Sequence, residues 1–174
     1  TEQNRPVIEE SYCFVLDTLD RHVRSLPFLL GSRPSLADFG IYGQLQILSV
    51  DPTPAAEMRA RAPDVFCWLM RLDDASGVEG QWIDAAAPLP EAIVGLLEHA
   101  AKTYLPFLAA NAQALQDGAE TFEVELLGRP YAQGPFRYQG KCYDALRKRF
   151  AAMPAVARDR VASVLEETGC LRYL

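Results

Sequence analysis

Apolar residues recur every three or four positions along most of the chain, and short segments rich in proline and glycine separate these stretches. This spacing places the apolar residues on one face of an α-helix, whereas a strand would show a period of two. It predicts helices over residues 6–25, 36–50, 55–62, 63–72, 91–117, 140–153 and 154–168. Pro106 should kink or interrupt the segment 91–117, because proline breaks the hydrogen-bond ladder of a helix interior. The pattern therefore indicates an all-α fold.

One segment departs from the helical period. Residues 121–127 alternate between apolar and acidic side chains, which is typical of a strand. Gly128-Arg129-Pro130 predicts a turn, and residues 131–138 predict a second strand that runs back along the first. This pattern predicts a small β-hairpin near residues 121–138. Residues 73–90 contain two glycines and two prolines and predict a long loop, which in a compact domain is ordered or functional.

Ser35-Leu36-Ala37-Asp38 has the spacing of a capping box at the start of a helix. The Ser35 hydroxyl can accept from the Asp38 backbone N–H, while the Asp38 carboxylate can accept from the Ser35 N–H. We assign these two residues a structural role in capping, not catalysis. The helix that follows is apolar nearly all round, which predicts a position in the middle of a domain. Gly40 and Gly43 inside it predict close approach of a neighbouring helix.

Composition limits the possible classes of protein. A chain of 174 residues suits one domain, or one domain with an extension. The longest apolar run, Val65–Met70, has six residues, so the sequence excludes a transmembrane helix, which needs about 20. Seventeen basic and 23 acidic residues give a net charge of −6, opposite in sign to a dedicated nucleic-acid binder.

The charge is unevenly placed, because residues 1–128 carry 8 basic and 19 acidic side chains and residues 129–174 carry 9 and 4. In the second part, five cations alternate with three aromatic residues. These are Arg137, Lys141, Arg147, Lys148 and Arg149 with Tyr138, Tyr143 and Phe150. A nucleic-acid patch has this composition. A partner for the acidic part of the same chain, or a docking surface for another domain, explains it equally well, and the overall acidity disfavours nucleic acid.

Residues with reactive side chains form no recognisable catalytic or metal-binding motif. The four cysteines are far apart, which suits free thiols in a reducing cytoplasm. Cys142 beside Lys141 is the best candidate for a reactive thiol, although a packing role explains it as well. His22 is expected in solvent, and His99 has no second ligand at metal-binding spacing. We therefore predict no catalytic, cofactor-binding or metal-binding residue, and leave the substrate-binding residues open; Tyr12, Phe39, Tyr42 and Tyr104 are aromatic candidates.

The segment Phe28–Phe39, with its Gly31, Pro34 and Ser35-x-x-Asp38, resembles the C-terminal helical domain of glutathione S-transferases. An apolar helix, a proline-rich break, Pro63 and Trp68 follow in the order that this family shows. The resemblance covers residues 6–72. It implies a helical bundle whose core lies in residues 1–72, with residues 73–174 as a helical extension that contains the hairpin near residues 121–138 and packs on the same domain.

The resemblance also implies what this sequence does not contain. Such transferases carry an N-terminal thioredoxin-like domain that binds glutathione and activates its thiol, and no βαβ pattern precedes residue 6. The expected partners are that domain, in a full-length parent, and a second copy in a homodimer, with no membrane. Glutathione is the expected cosubstrate of the parent, and this chain alone holds no cofactor.

Two hypotheses of function follow from the resemblance. The first is the hydrophobic-substrate side of a glutathione S-transferase-like enzyme that performs conjugation or thiol transfer in the full-length parent. The second is a non-catalytic module for protein interaction or scaffolding, built on the same helical domain.

Overall fold

A computed structural model describes every residue from Thr1 to Leu174 and contains eight α-helices and two β-strands. In chain order they are α1 (Arg5–Val23), α2 (Leu36–Val50), α3 (Pro52–Arg61), α4 (Pro63–Asp73), α5 (Glu91–Lys102), α6 (Tyr104–Asp117), β1 (Phe122–Leu126), β2 (Arg129–Gln133), α7 (Arg137–Ala151), α8 (Ala155–Glu167) and a 3₁₀ turn (Leu171–Tyr173). The predicted all-α fold with one small hairpin is confirmed. None of the helices is both long and apolar enough to cross a membrane.

The long segment 91–117 is two helices that meet at Thr103. Pro106 lies in the first turn of α6, where its missing N–H costs no intrahelical hydrogen bond. Its ring would clash with the carbonyl of residue 102 if the helix were continuous, so α5 ends at Lys102. The predicted interruption is confirmed.

The chain forms two compact units, Tyr12–Val94 and Thr1–Ser11 with Gly95–Leu174. The boundaries fall inside α1 and α5, so each of these helices contributes to both units. The predicted division into residues 1–72 and 73–174 stays a prediction about domains. By compactness, residues 73–94 belong with residues 12–72.

In the unit Tyr12–Val94, α2, α3 and α4 pack on one another. The large apolar side chains of this unit that are 0% exposed are Leu16, Leu19, Met58, Val65 and Trp68. The helical period of residues 6–25 predicts that one apolar stripe of α1 is buried, formed by Ile8, Tyr12, Val15, Leu19, Val23 and Leu26. This is only partly right: Leu19 and Val23 are buried, whereas Ile8 is 55% exposed. Leu16 and polar Thr18, both off that stripe, are buried instead.

The core of the other unit joins α5, α6, α7 and the C-terminal turn through Ala101, Leu105, Leu108, Tyr143 and Cys170. The hairpin is antiparallel, with Phe122 opposite Gln133 and Leu126 opposite Arg129, and β1 packs against α6. Asn4, in the same unit, closes the outer edge of β2: its amide donates to the Ala132 carbonyl at 2.9 Å and accepts from the Ala132 N–H at 3.2 Å.

Candidate functional site

The start of α2 is organised around the carboxylate of Asp38, which is fully buried. Oδ2 accepts from the Ser35 N–H at 2.7 Å and from the Ser35 hydroxyl at 2.6 Å, and Oδ1 accepts from the Leu29 N–H at 2.8 Å. Ser35 is the N-cap and Asp38 the third residue of the helix. The carboxylate thus ties the turn before α2 to its first turn, and every contact it makes lies within the fold.

The loop that follows α4 is attached to that same turn. The Ser32 N–H donates to the Gln81 carbonyl at 2.9 Å, and the Ile83 N–H donates to the Leu30 carbonyl at 2.8 Å. Gly31, with φ +135°, permits this approach, since a Cβ there would collide with the Gln81 carbonyl oxygen. The loop is therefore ordered by backbone pairing, which no local pattern in residues 73–90 predicts.

The prediction that α2 lies in the middle of a domain, covered on all sides, is wrong for one face of the helix. Leu36 is 79% exposed, Phe39 45%, Ile47 68% and Val50 73%, and these four lie on one face of α2. Only Asp38, Leu45 and Ser49 of this helix are buried. The reason is that α3 and α4 cover one side of α2, while the opposite side has no covering element.

Gly40 and Gly43 lie on this uncovered face. A Cβ built at either position meets no atom within 4 Å. The prediction that these glycines permit a neighbouring helix to approach closely is therefore wrong for this chain. We call the surface formed by Leu36, Phe39, Gly40, Gly43, Ile47 and Val50 the apolar face of α2.

The sequence pattern places Asp20 on the polar, solvent-facing side of the helix predicted over residues 6–25, but this residue is only 4% exposed. Its Oδ1 accepts from the N–H groups of Asp64 at 2.9 Å and Val65 at 3.4 Å, and Arg24 contacts its other oxygen. Asp20 therefore caps the start of α4, where Ala62 has no side-chain acceptor. An N-cap position occupied by alanine was the signal that an external cap would be needed.

Three of the four aromatic candidates belong to the unit Tyr12–Val94, and the fourth belongs to the other unit. In the unit Tyr12–Val94, Tyr12 donates to the Pro54 carbonyl at 2.9 Å, Tyr42 bonds to Asp73, and Phe39 lies on the apolar face of α2. Burial raises the pKa of Tyr12 above its ordinary value. Tyr104 belongs to the other unit, where its hydroxyl bonds to Gln139 at 3.2 Å. The hydroxyl groups of the three tyrosines therefore all take part in hydrogen bonds within the fold.

The histidines and cysteines do not assemble into a reactive centre. His22 is 5% exposed, with Nε2 3.1 Å from the Phe28 carbonyl, so the expectation of a solvated side chain is wrong. Burial lowers the pKa of His99, and Lys102 adds to this effect while Glu10 opposes it. All four cysteines are free thiols, and Cys142 is half-buried. No group of His, Cys, Asp and Glu side chains is arranged to hold a metal ion.

The basic, aromatic segment is helix α7, and part of it is engaged within its own unit. The Arg147 guanidinium lies 5.6 Å from the centre of the Tyr143 ring, and the Tyr143 hydroxyl donates to the Tyr173 carbonyl at 2.6 Å. Arg129 of the hairpin pairs with Glu10. These contacts give part of the basic segment a role in packing.

A comparison with known protein families finds a match for residues 15–92. They match the family model described as "Glutathione S-transferase, C-terminal domain", which spans just under half of the chain. The matched segment contains α2, α3 and α4, the Asp38 cap and the loop attached to it. No curated protein and no solved structure matches the chain.

Proposed function

We propose that this chain is the hydrophobic-substrate side of a glutathione S-transferase-like protein, because residues 15–92 match the family model of the glutathione S-transferase C-terminal domain. In the full-length parent, a thioredoxin-like domain would bind glutathione and activate its thiol for conjugation or thiol transfer. The helical domain would line the hydrophobic side of the substrate site. The observation that carries the proposal is the apolar face of α2 within the matched segment, which is exposed in this chain and on which the thioredoxin-like domain would dock.

The energetics of that face support a covering partner. Burying a large apolar side chain contributes about 1.5–3 kcal/mol, and four such side chains are 45–79% exposed on α2. Contiguous exposed apolar patches mark interaction sites in proteins of this kind. The six residues of the face carry no charge, so its partner would be an apolar surface too. We assign the thioredoxin-like domain as the occupant.

The first test is to isolate the native protein with an antibody raised against this chain and to measure its intact mass. The proposal expects a mass well above 19.3 kDa, peptides upstream of Thr1 with a thioredoxin-like sequence, and retention on immobilised glutathione. A native mass of 19.3 kDa without retention would contradict it. The isolated 174-residue chain serves as the control and should not be retained.

The second test addresses the occupant of the face. In the native protein, Ile47→Glu should lower the temperature of unfolding and the rate of glutathione conjugation, because a charge would enter the interface. Met70→Glu is the matched control: Met70 on α4 is 64% exposed, close to the 68% of Ile47, but lies off the face. Equal effects of the two substitutions would exclude this face as the docking surface.

The second hypothesis, a non-catalytic interaction or scaffolding module, rests on the same face. It is favoured by a native mass of 19.3 kDa together with loss of a protein partner in the Ile47→Glu variant. We further propose a cytoplasmic location, which the four free thiols support.

A further inference from the structure

A recess in the unit formed by residues 1–11 and 95–174 lies beside the hairpin turn. Its volume is about 390 Å³, within the range of small-molecule sites. Its walls combine an apolar part and a charged part. The apolar part is Pro106, Leu127 and Tyr173, and the charged part is Lys102, Arg172 and Glu125.

Leu127 occupies a backbone conformation that leucine rarely adopts. It has φ +52° and is followed by Gly128 at φ +71°, in a two-residue turn between the paired residues Leu126 and Arg129. Asparagine, aspartate and glycine are the usual residues at the first of these positions, because a branched side chain is strained there. Leu127 is half-buried and lines the recess. Backbone outliers of this kind cluster at ligand sites.

Arg172 is held at the recess by two contacts. Its guanidinium lies 4.9 Å from the centre of the Tyr173 ring, and Nη2 donates to the Ala101 carbonyl at 3.5 Å. This bond uses one of the five N–H donors of the guanidinium. Lys102, the exposed last residue of α5, takes part in no ion pair. With Glu125 opposing them, the two cations leave a net charge of +1.

We propose that this recess binds a small organic monocarboxylate with an apolar body. The carboxylate is held by Lys102 and Arg172, because guanidinium groups bind carboxylates through paired N–H donors. The apolar body packs against Leu127, Pro106 and Tyr173. The net charge of the walls selects one negative charge over two, and the volume suits a chain or ring of moderate size. The recess lies outside residues 15–92, so this inference stands or falls separately from the proposed transferase role.

The charge requirement is tested by titrating the 174-residue chain with octanoate and with 1-octanol in a calorimeter. We expect octanoate to bind at least tenfold more tightly than octanol, and Arg172→Gln and Lys102→Gln each to weaken octanoate binding about tenfold. Arg147→Gln is the matched control, because Arg147 also lies over a tyrosine ring but lines no part of the recess. Equal affinities for the two probes, or no effect of Arg172→Gln, would overturn the proposal.

The role of Leu127 is tested by Leu127→Asn. Asparagine suits the turn, so the melting temperature should be kept or raised, while octanoate affinity falls about fivefold because the apolar wall is lost. Leu146→Asn, on α7, is the control and should leave the affinity unchanged. A Leu127→Asn variant that melts earlier and binds octanoate normally would show that Leu127 is only structural. Should this variant fail to fold, Arg172→Gln and Lys102→Gln decide the outcome.

Discussion

Single polar residues inside the fold determine where helices begin. Asp20 and Asp38 are both buried, and each accepts backbone N–H groups at the start of a helix. Asp38 caps its own helix, so its spacing from Ser35 made the cap predictable from sequence. Asp20 caps α4 from 44 residues away, and no local pattern contains that information. Long-range caps of this kind are visible only once the chain is folded.

Replacing Asp20 by alanine should destabilise the protein strongly. Asp20→Ala removes the acceptor for the buried N–H of Val65, and we expect a loss of about 2 kcal/mol in the free energy of unfolding. The measurement is urea denaturation followed by circular dichroism. Asp17→Ala is the control on the same helix: its exposed ion pair with Arg61 should contribute less than about 1 kcal/mol. Equal losses in the two variants would refute the capping role.

His99 should make the stability of the protein depend on pH. Burial lowers its pKa in the folded state below the ordinary 6.5, so the unfolded chain binds the proton more readily. Its contribution to stability is therefore present above pH 6.5 and is lost as the pH falls from 6.5 through the lowered pKa. His99→Gln should flatten this part of the profile, measured by urea denaturation between pH 7.5 and 5. An unchanged profile would contradict the prediction.

At the scale of elements, the sequence predicts the type and order of helices and hairpin well. Period and proline position are local signals, and they place α2 and the break before Pro106 correctly. The hairpin exists as predicted, but its turn is Leu127-Gly128 and its second strand is Arg129–Gln133, two residues earlier than the predicted start at residue 131. Whether a face of an element is buried depends on residues that are distant in the sequence. The composition of α2 predicts burial on all sides, but burial requires a covering element, and the residues of this chain cover only one side.

The two glycines of α2 offer a direct test of that environment. Gly40→Ala and Gly43→Ala should each raise the free energy of unfolding of this chain by about 0.5–1 kcal/mol, because space is open and alanine favours the helix. Thermal denaturation of the 174-residue chain measures this change in the free energy of unfolding. Gly31→Ala should act in the opposite direction, since Gly31 has φ +135° and touches the Gln81 backbone. A loss of stability in both α2 variants would show that the face is covered.

At the scale of the whole molecule, the family-model match over residues 15–92 agrees with the resemblance that the short, local motif around Ser35 and Asp38 predicts. The division into two compact units was not predictable from the sequence, since one unit joins the first 11 residues to the last 80. The recess beside the hairpin was missed for the same reason. Its walls come from residues 101–106, 125–128 and 172–173, which no sequence window contains together.

The joining of the chain's two ends can be tested at Asn4. Asn4→Ala removes both hydrogen bonds to Ala132, and we expect a loss of about 1–2 kcal/mol in stability and faster hydrogen exchange of the Ala132 amide. Gln3→Ala, which changes an exposed amide one residue away, is the control and should alter neither quantity. Unchanged exchange at Ala132 in Asn4→Ala would refute the pairing.

The pairing of Asn4 with Ala132 also has a consequence for the order of events during synthesis. A ribosome makes Asn4 before Ala132, and 128 positions separate them. Domains usually fold as they emerge, with N-terminal parts first. The two hydrogen bonds between Asn4 and Ala132 must instead wait until the hairpin has left the exit tunnel, by which time all of Tyr12–Val94 has been made. The unit that contains residues 1–11 is therefore completed only near the end of synthesis.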